Sequence, residues 1–458
     1  MKLEGISFWY EGQKKATLQN INLEIQKGEF VLLCGGSGCG KTALTRVLNG
    51  LCPEFYPGKL AGKYTFGGEN MTSLPIREKS LRIGSVFQDP ETQFFTTKGH
   101  DEIVLGAEQR ALPPGLILEK LAELNRLLQL EGLYEKSLFT MSAGEKQKIA
   151  VASVCMLSPE VLVLDEPSAN LDPASILKLG EILTELKGLG VTIILSEHRF
   201  HYVKESFDRA IYMVDGELHT AFTRAEILAL GEETLLRMGL RSFEAPMLQL
   251  NYDSPTEDGI FCEGKNLCFV YKGSSIFNGL NLKIPNAKVT AILGENGRGK
   301  TTLLRIIAGL HKPASGEIFF GGKALSKGGR IRQSFLLEQN GNNQLFSNQV
   351  EKEFLIDVPG QNSEKIYGVL AKLDLLQKKH AHPLSLSGGQ KQRLLVGISA
   401  LSGKQLLLLD EPTSGLDAMN MHRISTLLRH NAAKGQTIVV VTHDIEFINK
   451  TADFIIQL

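Results

Sequence analysis

Cysteine is scarce in this chain and is never spaced to bind metal. The six are Cys34, Cys39, Cys52, Cys155, Cys262 and Cys268, with no C-x-x-C pair among them. That argues against a zinc site or an iron–sulfur cluster. Most lie in apolar segments, where a reduced, packed thiol is expected. Net charge is absent too, because 50 basic residues balance 50 acidic ones. A nucleic-acid partner usually leaves a basic excess, so none is expected. No apolar run is long enough to cross a bilayer. The opening MKLEGISFWYEG lacks the apolar core of a secretion signal. The expectation is a cytosolic chain, or one held at a membrane only through partners. At 458 residues it is too long for one core, and two or three domains are expected.

What the chain does hold, it holds twice. Gly35, Gly36, Ser37, Gly38, Cys39, Gly40, Lys41 and Thr42 spell G-x-x-x-x-G-K-[S/T]. Gly294, Glu295, Asn296, Gly297, Arg298, Gly299, Lys300 and Thr301 spell it again, followed by Thr302. In such a loop the glycines let backbone N–H groups turn toward phosphate oxygens. The lysine reaches the outer phosphates, and the threonine hydroxyl can hold Mg²⁺. Two matches in matched surroundings point to two nucleoside triphosphate sites. Cys39, close to a helix N-terminus, is expected to have enhanced thiolate character.

The repeat extends well beyond the loops. Lys41 pairs with Lys300 at an offset of 259, and Gln88 with Gln339 at 251. Ser142, Asp165 and His198 pair with Ser387, Asp410 and His443 at 245. The last three landmarks therefore keep identical spacing in both halves, and length changes fall between the loop and the serine. This is a duplicated domain, not a short-period array. The expected division is 1–240 for the first domain, 241–257 for a linker carrying Pro246 and Pro255, and 258–458 for the second. The apolar runs 30–34, 161–165 and 191–196 read as buried strands, and 289–294, 406–410 and 437–443 repeat them. Such runs followed by helical segments indicate an α/β fold with a mostly parallel sheet flanked by helices. Each loop opens a helix, 42–49 before Gly50 and 301–308 before Gly309. Residues 116–130 place leucines at helical spacing and read as core of a helical subdomain.

Acids end one strand of each half: Asp165 and Glu166, then Asp410 and Glu411. The aspartate suits a water-mediated hold on Mg²⁺, and the glutamate can activate an attacking water. Upstream, MSAGE and LSGGQ start helices as capping boxes, Ser142 with Glu145 and Ser387 with Gln390. A helix start is also a place for an anion. His198 and His443 end β-rich runs, where they can donate to a terminal phosphate.

LSGGQKQR, the two loops, LLLLDEPTSGLD and VVVTHD resemble the ATP-binding subunit of ABC transporters. The resemblance covers almost the whole chain, twice. It implies two tandem domains, each with an added antiparallel β part, paired head to tail. One composite ATP site would join Lys41, Thr42, Gln88, Asp165, Glu166 and His198 to Ser387, Gly388 and Gly389. The other would join Lys300, Thr301, Gln339, Asp410, Glu411 and His443 to Ser142 and Gly144. Thr42, Gln88 and Asp165, and likewise Thr301, Gln339 and Asp410, would surround Mg²⁺, the aspartates through water. Tyr10 and Tyr271 would stack on adenine. Two departures stand out: Ala143 replaces the middle glycine of LSGGQ, and the Gln339 segment lacks the proline of VFQDPETQFF.

TRVLNGLCPEFYPGKLAG, VFQDPETQFF and DEPSANLD look more specifically like the fused double ATPase of bacterial energy-coupling factor transporters. That implies uptake of a vitamin, metal ion or other micronutrient, with a membrane coupling protein and a separate substrate-binding membrane protein as partners. The chain would sit peripherally on the cytoplasmic face of the membrane. Residues 93–95 and 344–346 would help form the groove for the coupling helices. Soluble twin-ATPase translation factors and sugar-type ABC importers are the other readings. The transported substrate is not written in this sequence.

Overall fold

The computed structural model describes residues 1–249, 259–271, 274–339, 341–358 and 360–458. The chain divides into two compact units, Met1–Ala245 and Pro246–Leu458. Of the expected linker 241–257, positions 250–257 lie outside the described residues. Its first residues are fixed on unit one: Phe243 is buried there and stacks on Phe200, ring centroids 4.6 Å apart.

Unit one is built on a six-stranded sheet. The strands run in the order Glu217–Thr223, Arg209–Val214, Phe30–Cys34, Thr192–Ser196, Val161–Asp165, Ile83–Val86. All neighbouring pairs are parallel except the outer hairpin of the first two. Phe30–Cys34 and Thr192–Ser196 are buried at every position, as continuous apolar runs of a parallel sheet must be. A four-stranded antiparallel sheet, led by Lys2–Tyr10 and Gly58–Phe66, adds a second layer. The helical part includes Pro114–Leu128, which turns Leu121, Leu124 and Leu128 into the core, as the leucine spacing predicts.

Unit two repeats the plan. Its parallel sheet runs Ser334–Leu337, Leu406–Asp410, Thr437–Val441, Val289–Leu293, Phe454–Gln457. Its antiparallel sheet pairs Ile260–Tyr271 with Ser274–Pro285 and Ser315–Phe320. Among the described residues no helix is long and apolar enough to cross a membrane.

The strand that feeds each glycine loop therefore lies inside its parallel sheet. Its C-terminal end adjoins that of the strand leading to the histidine, and the strand that carries the acids is the next one over. Such a crevice, outside the carboxyl ends of parallel strands, is where open α/β sheets place ligands.

Candidate nucleotide sites

The first loop leaves its strand at Gly35 and enters the helix Lys41–Leu48; the second leaves at Gly294 and enters Lys300–Ala308. Gly35 has φ 147°, and a Cβ there would lie 2.4 Å from the Met213 carbonyl oxygen, so no side chain is admissible. Gly40 and Gly299, at the helix starts, are left-handed with φ 108° and 86°. The helices stop as their sequences suggest, with left-handed Gly50 and Gly309 just beyond.

Each loop curls around its own lysine. Lys41 Nζ donates to the carbonyls of Gly35 (2.9 Å) and Gly36 (3.3 Å), and Lys300 Nζ to those of Gly294 (2.7 Å) and Glu295 (2.9 Å). Both lysines are buried. Thr42 Oγ1 donates to Asp165 Oδ1 at 3.3 Å, and Thr301 Oγ1 to Asp410 Oδ2 at 2.6 Å. Burial, and then the charge of Glu166, push the Asp165 carboxyl up to about 6. Burial likewise raises Asp410, against the pull of Thr301 and Lys300. A partly buried hydroxyl–carboxylate pair beside an ammonium is a fitting donor set for a hard cation carrying phosphate. A ring of turned-in backbone N–H groups with a buried ammonium fits the phosphate itself.

Glu166 and Glu411 are held in the left-handed region, φ 47° and 49°. Their N–H groups donate to Ser196 O and Val441 O, each at 2.8 Å. Here the two units diverge. In unit one Glu166 receives Gln88 Nε2 at 3.1 Å and lies 3.3 Å from His198 Nε2, which is itself 3.4 Å from Lys41 Nζ. In unit two Glu411 receives Thr442 Oγ1 at 2.9 Å, while His443 Nε2 meets Asn296 Oδ1 of its own loop at 3.0 Å and stands 4.0 Å from Glu411. Gln339 is exposed. The residue before each histidine differs as well. Thr442 can donate to the glutamate, whereas Glu197 cannot and instead accepts from Tyr202 Oη at 2.9 Å and from the His198 N–H at 2.8 Å.

The tyrosines also differ. Tyr10 is half-buried against Phe8 and accepts from Arg46 Nη1 at 3.2 Å. The equivalent Arg305 turns to Glu338 at 3.0 Å, and Tyr271 is 55% exposed. Cys39 is buried under its loop, 3.9 Å from Lys41 Nζ.

Both expected capping boxes are present, Ser142 with Glu145 and Ser387 with Gln390. They leave both serines exposed at helix starts. The substitution at Ala143 is readily explained. A Cβ on its counterpart Gly388 would meet nothing within 4 Å, but one on Gly144 would lie 2.2 Å from Ser175 Oγ. The retained glycine is the one that sterics demand. Glu145 brings its own counterion, Lys136 at 2.8 Å, whose counterpart in unit two is Ala381.

Beyond each Q-bearing segment the apolar side chains separate. Phe94 and Leu345 pack on the cores, whereas Phe95 and Phe346 are 84% and 76% exposed. Two buried glutamates, not singled out from the sequence, hold those loops. Glu102 accepts from the Phe95 and Thr96 N–H groups at 2.9 and 2.8 Å, and Glu353 from the Ser347 N–H at 2.6 Å. The signal available was their matched offset of 251, the same as for Gln88 and Gln339.

Fold and site together define a duplicated P-loop nucleotide-binding protein. The family model described as "ABC transporter" matches residues 18–169 and 277–414. A model described as an AAA domain also matches 380–449. A Treponema denticola protein named as an ABC transporter ATP-binding protein is 41% identical over 97% of this chain and 92% of its own length. A Bacillus subtilis protein named as an HMP/thiamine import ATP-binding protein is 31% identical over 100% of this chain and 89% of its own. The structure titled "RNase-L Inhibitor" aligns with TM-score 0.66 over 99% of this chain and 88% of its own, at 20% identity, a likeness of fold. The archaeal ribosome recycling factor in its complex with a ribosomal stalk protein aligns at TM-score 0.67 over 99% and 87%, also at 20% identity. The chain belongs to the ABC transporter ATP-binding family, with two ABC ATPase domains fused in one polypeptide. It is an ATP-binding, ATP-hydrolysing protein.

Proposed function

We propose that this ATPase powers uptake of a micronutrient, a vitamin or metal ion, through membrane partners of the energy-coupling factor type. The observation that carries the reading is the pair of exposed phenylalanines, Phe95 and Phe346. Each is held outward by a buried glutamate just past the Q-segment, as a surface prepared for apolar partner helices. Full-length similarity to a relative named for HMP/thiamine import supports the substrate class.

In this reading the nucleotide sites are composite. Lys41, Thr42, Gln88, Asp165, Glu166 and His198 act with Ser387, Gly388 and Gly389, and the second set of residues acts with Ser142 and Gly144. Mg²⁺, when bound, neutralises charge on the phosphates being separated. Lys41 and Lys300 hold the outer phosphates. Thr42 with Asp165, and Thr301 with Asp410, hold the cation, with Gln88 and Gln339 at its edge. Glu166 and Glu411 take a proton from the attacking water. His198 and His443 donate toward the terminal phosphate, and Tyr10 and Tyr271 support adenine. ATP held by both domains favours the closed pair, and hydrolysis releases it. The chain works at the cytoplasmic face of the membrane without crossing it.

The test is affinity capture of the tagged chain from native cells in mild detergent. Recovery of polytopic membrane proteins, one of them small and substrate-binding, is the expected result. Ribosomal proteins without membrane partners would overturn the transport reading in favour of a translation factor.

A further inference from the structure

In unit one the helices Ala143–Cys155 and Pro173–Gly188 border a cavity of about 230 Å³. Its floor is apolar, with Val151, Leu171 and Leu179, yet Lys148 and Lys178 both line it, one from each helix. Lys178 reaches Glu181 on its own helix at 2.9 Å. Lys148 makes no salt bridge among the described residues; burial and then the Lys178 charge weaken its hold on its proton, with Glu145 opposing. A third lining group is Gln147, 3% exposed, whose Nε2 makes no hydrogen bond among the described residues. A buried donor without an acceptor is costly to the fold.

The other half of the chain shows how the same positions look when they are filled. Gln392, the counterpart of Gln147, donates to the Glu411 carbonyl at 3.0 Å. Arg393 and Arg423, the counterparts of the two lysines, converge on Asp374 at 3.7 and 3.3 Å. Unit one has Gln129 where unit two has Asp374, both in the left-handed region with φ 56° and 55°. Unit two thus supplies one carboxylate to both cations; among the described residues of unit one no salt bridge joins the two lysines through a shared acid, and Lys178 pairs with Glu181 alone.

We propose that the unit-one cavity binds a small aliphatic carboxylate from solution. Its head group takes the place of the missing acid between Lys148 and Lys178, and its short apolar body lies on Val151, Leu171 and Leu179. The cavity is smaller than a drug-sized pocket, which limits the ligand to a short chain. Gly144, which the transport reading gives to a nucleotide site, also lines the cavity, but binding of the carboxylate does not depend on that reading.

Saturation-transfer NMR on the full chain, without nucleotide, tests this with hexanoate and its neutral isostere hexanamide. Hexanoate is expected to bind, and hexanamide to bind at least roughly tenfold more weakly, the loss of one charge-assisted contact. Lys148→Met with Lys178→Met is expected to bring hexanoate down to the hexanamide level. No hexanoate binding, or equal binding of the two probes, would overturn the proposal. So would wild-type hexanoate affinity in a double variant with an unchanged melting curve. The comparison of probes is read on the unaltered chain, so it decides the matter even if the double variant is unstable.

Discussion

At the scale of the residue, the two acids at each strand end have opposite requirements. Asp165 is partly buried, and desolvation raises its carboxyl from an ordinary 3.8 to about 6. Between those values the folded chain binds more protons than the unfolded one, so stability falls as pH rises through that window. Above about 6 an ionised, desolvated Asp165 weighs against the nucleotide-free fold. Asp165→Asn is therefore expected to raise the melting temperature at pH 8 without Mg²⁺ by several degrees, from on the order of 2 kcal/mol. The gain should shrink as pH falls from 6 toward 4; thermal unfolding at both pH values checks it. Glu166 and Glu411 are the proposed bases, and their neighbours accept an amide of the same shape. Glu166→Gln combined with Glu411→Gln should leave ATP binding intact while lowering turnover at least about a hundredfold. Equal loss of binding, measured by filter retention of labelled ATP, would instead assign them a structural role.

At the scale of the element, much was legible because the signals are local. The six apolar runs read as strands are strands to within two residues at either end, since a parallel sheet covered on both faces writes itself as continuous hydrophobicity. The glycine loops, the capping boxes and the leucine face of Pro114–Leu128 likewise follow from short-range rules. The asymmetry between the sites was not legible. Whether Arg46 meets Tyr10 while Arg305 meets Glu338 depends on which side chain a distant segment delivers, and no periodicity encodes that. Glu102 and Glu353 escaped notice because a buried acid bonded to a loop's N–H groups looks in sequence like any surface glutamate. The signature helices give a prediction at this scale. Gly388→Ala reproduces the unit-one sequence in open space and should stabilise by about 0.5–1 kcal/mol. Gly144→Ala forces a methyl toward Ser175 and should destabilise by roughly 1–3 kcal/mol. Denaturant titration of the two variants compares them, and a larger loss at Gly388 would refute the steric account.

At the scale of the whole molecule, duplication has given each unit its own parallel sheet and its own hydrophobic core. A fragment ending at Ala245 keeps Phe243 stacked on Phe200 and is expected to fold with a cooperative melting transition. If the nucleotide sites are composite, that fragment should bind ATP but hydrolyse it at least about a hundredfold more slowly than the full chain. Adding fragment 246–458 should restore activity with a second-order dependence on concentration. Full turnover by one fragment alone would exclude the shared-site arrangement.

Gln93 Oε1 accepts from the Phe87 N–H at 3.1 Å, and Gln344 Oε1 from the Glu338 N–H at 3.0 Å. Each carboxamide is a crossbar over a short 3₁₀ turn, with an exposed phenylalanine at its outer end and a glutamine next to its inner end. In unit one that inner glutamine, Gln88, already grips Glu166. A push on Phe95 would travel along one strut of fixed length to the carboxylate, so load at the surface and chemistry at the strand end share a linkage. In unit two the strut is present, and there Glu411 receives Thr442 Oγ1 where Glu166 receives Gln88 Nε2.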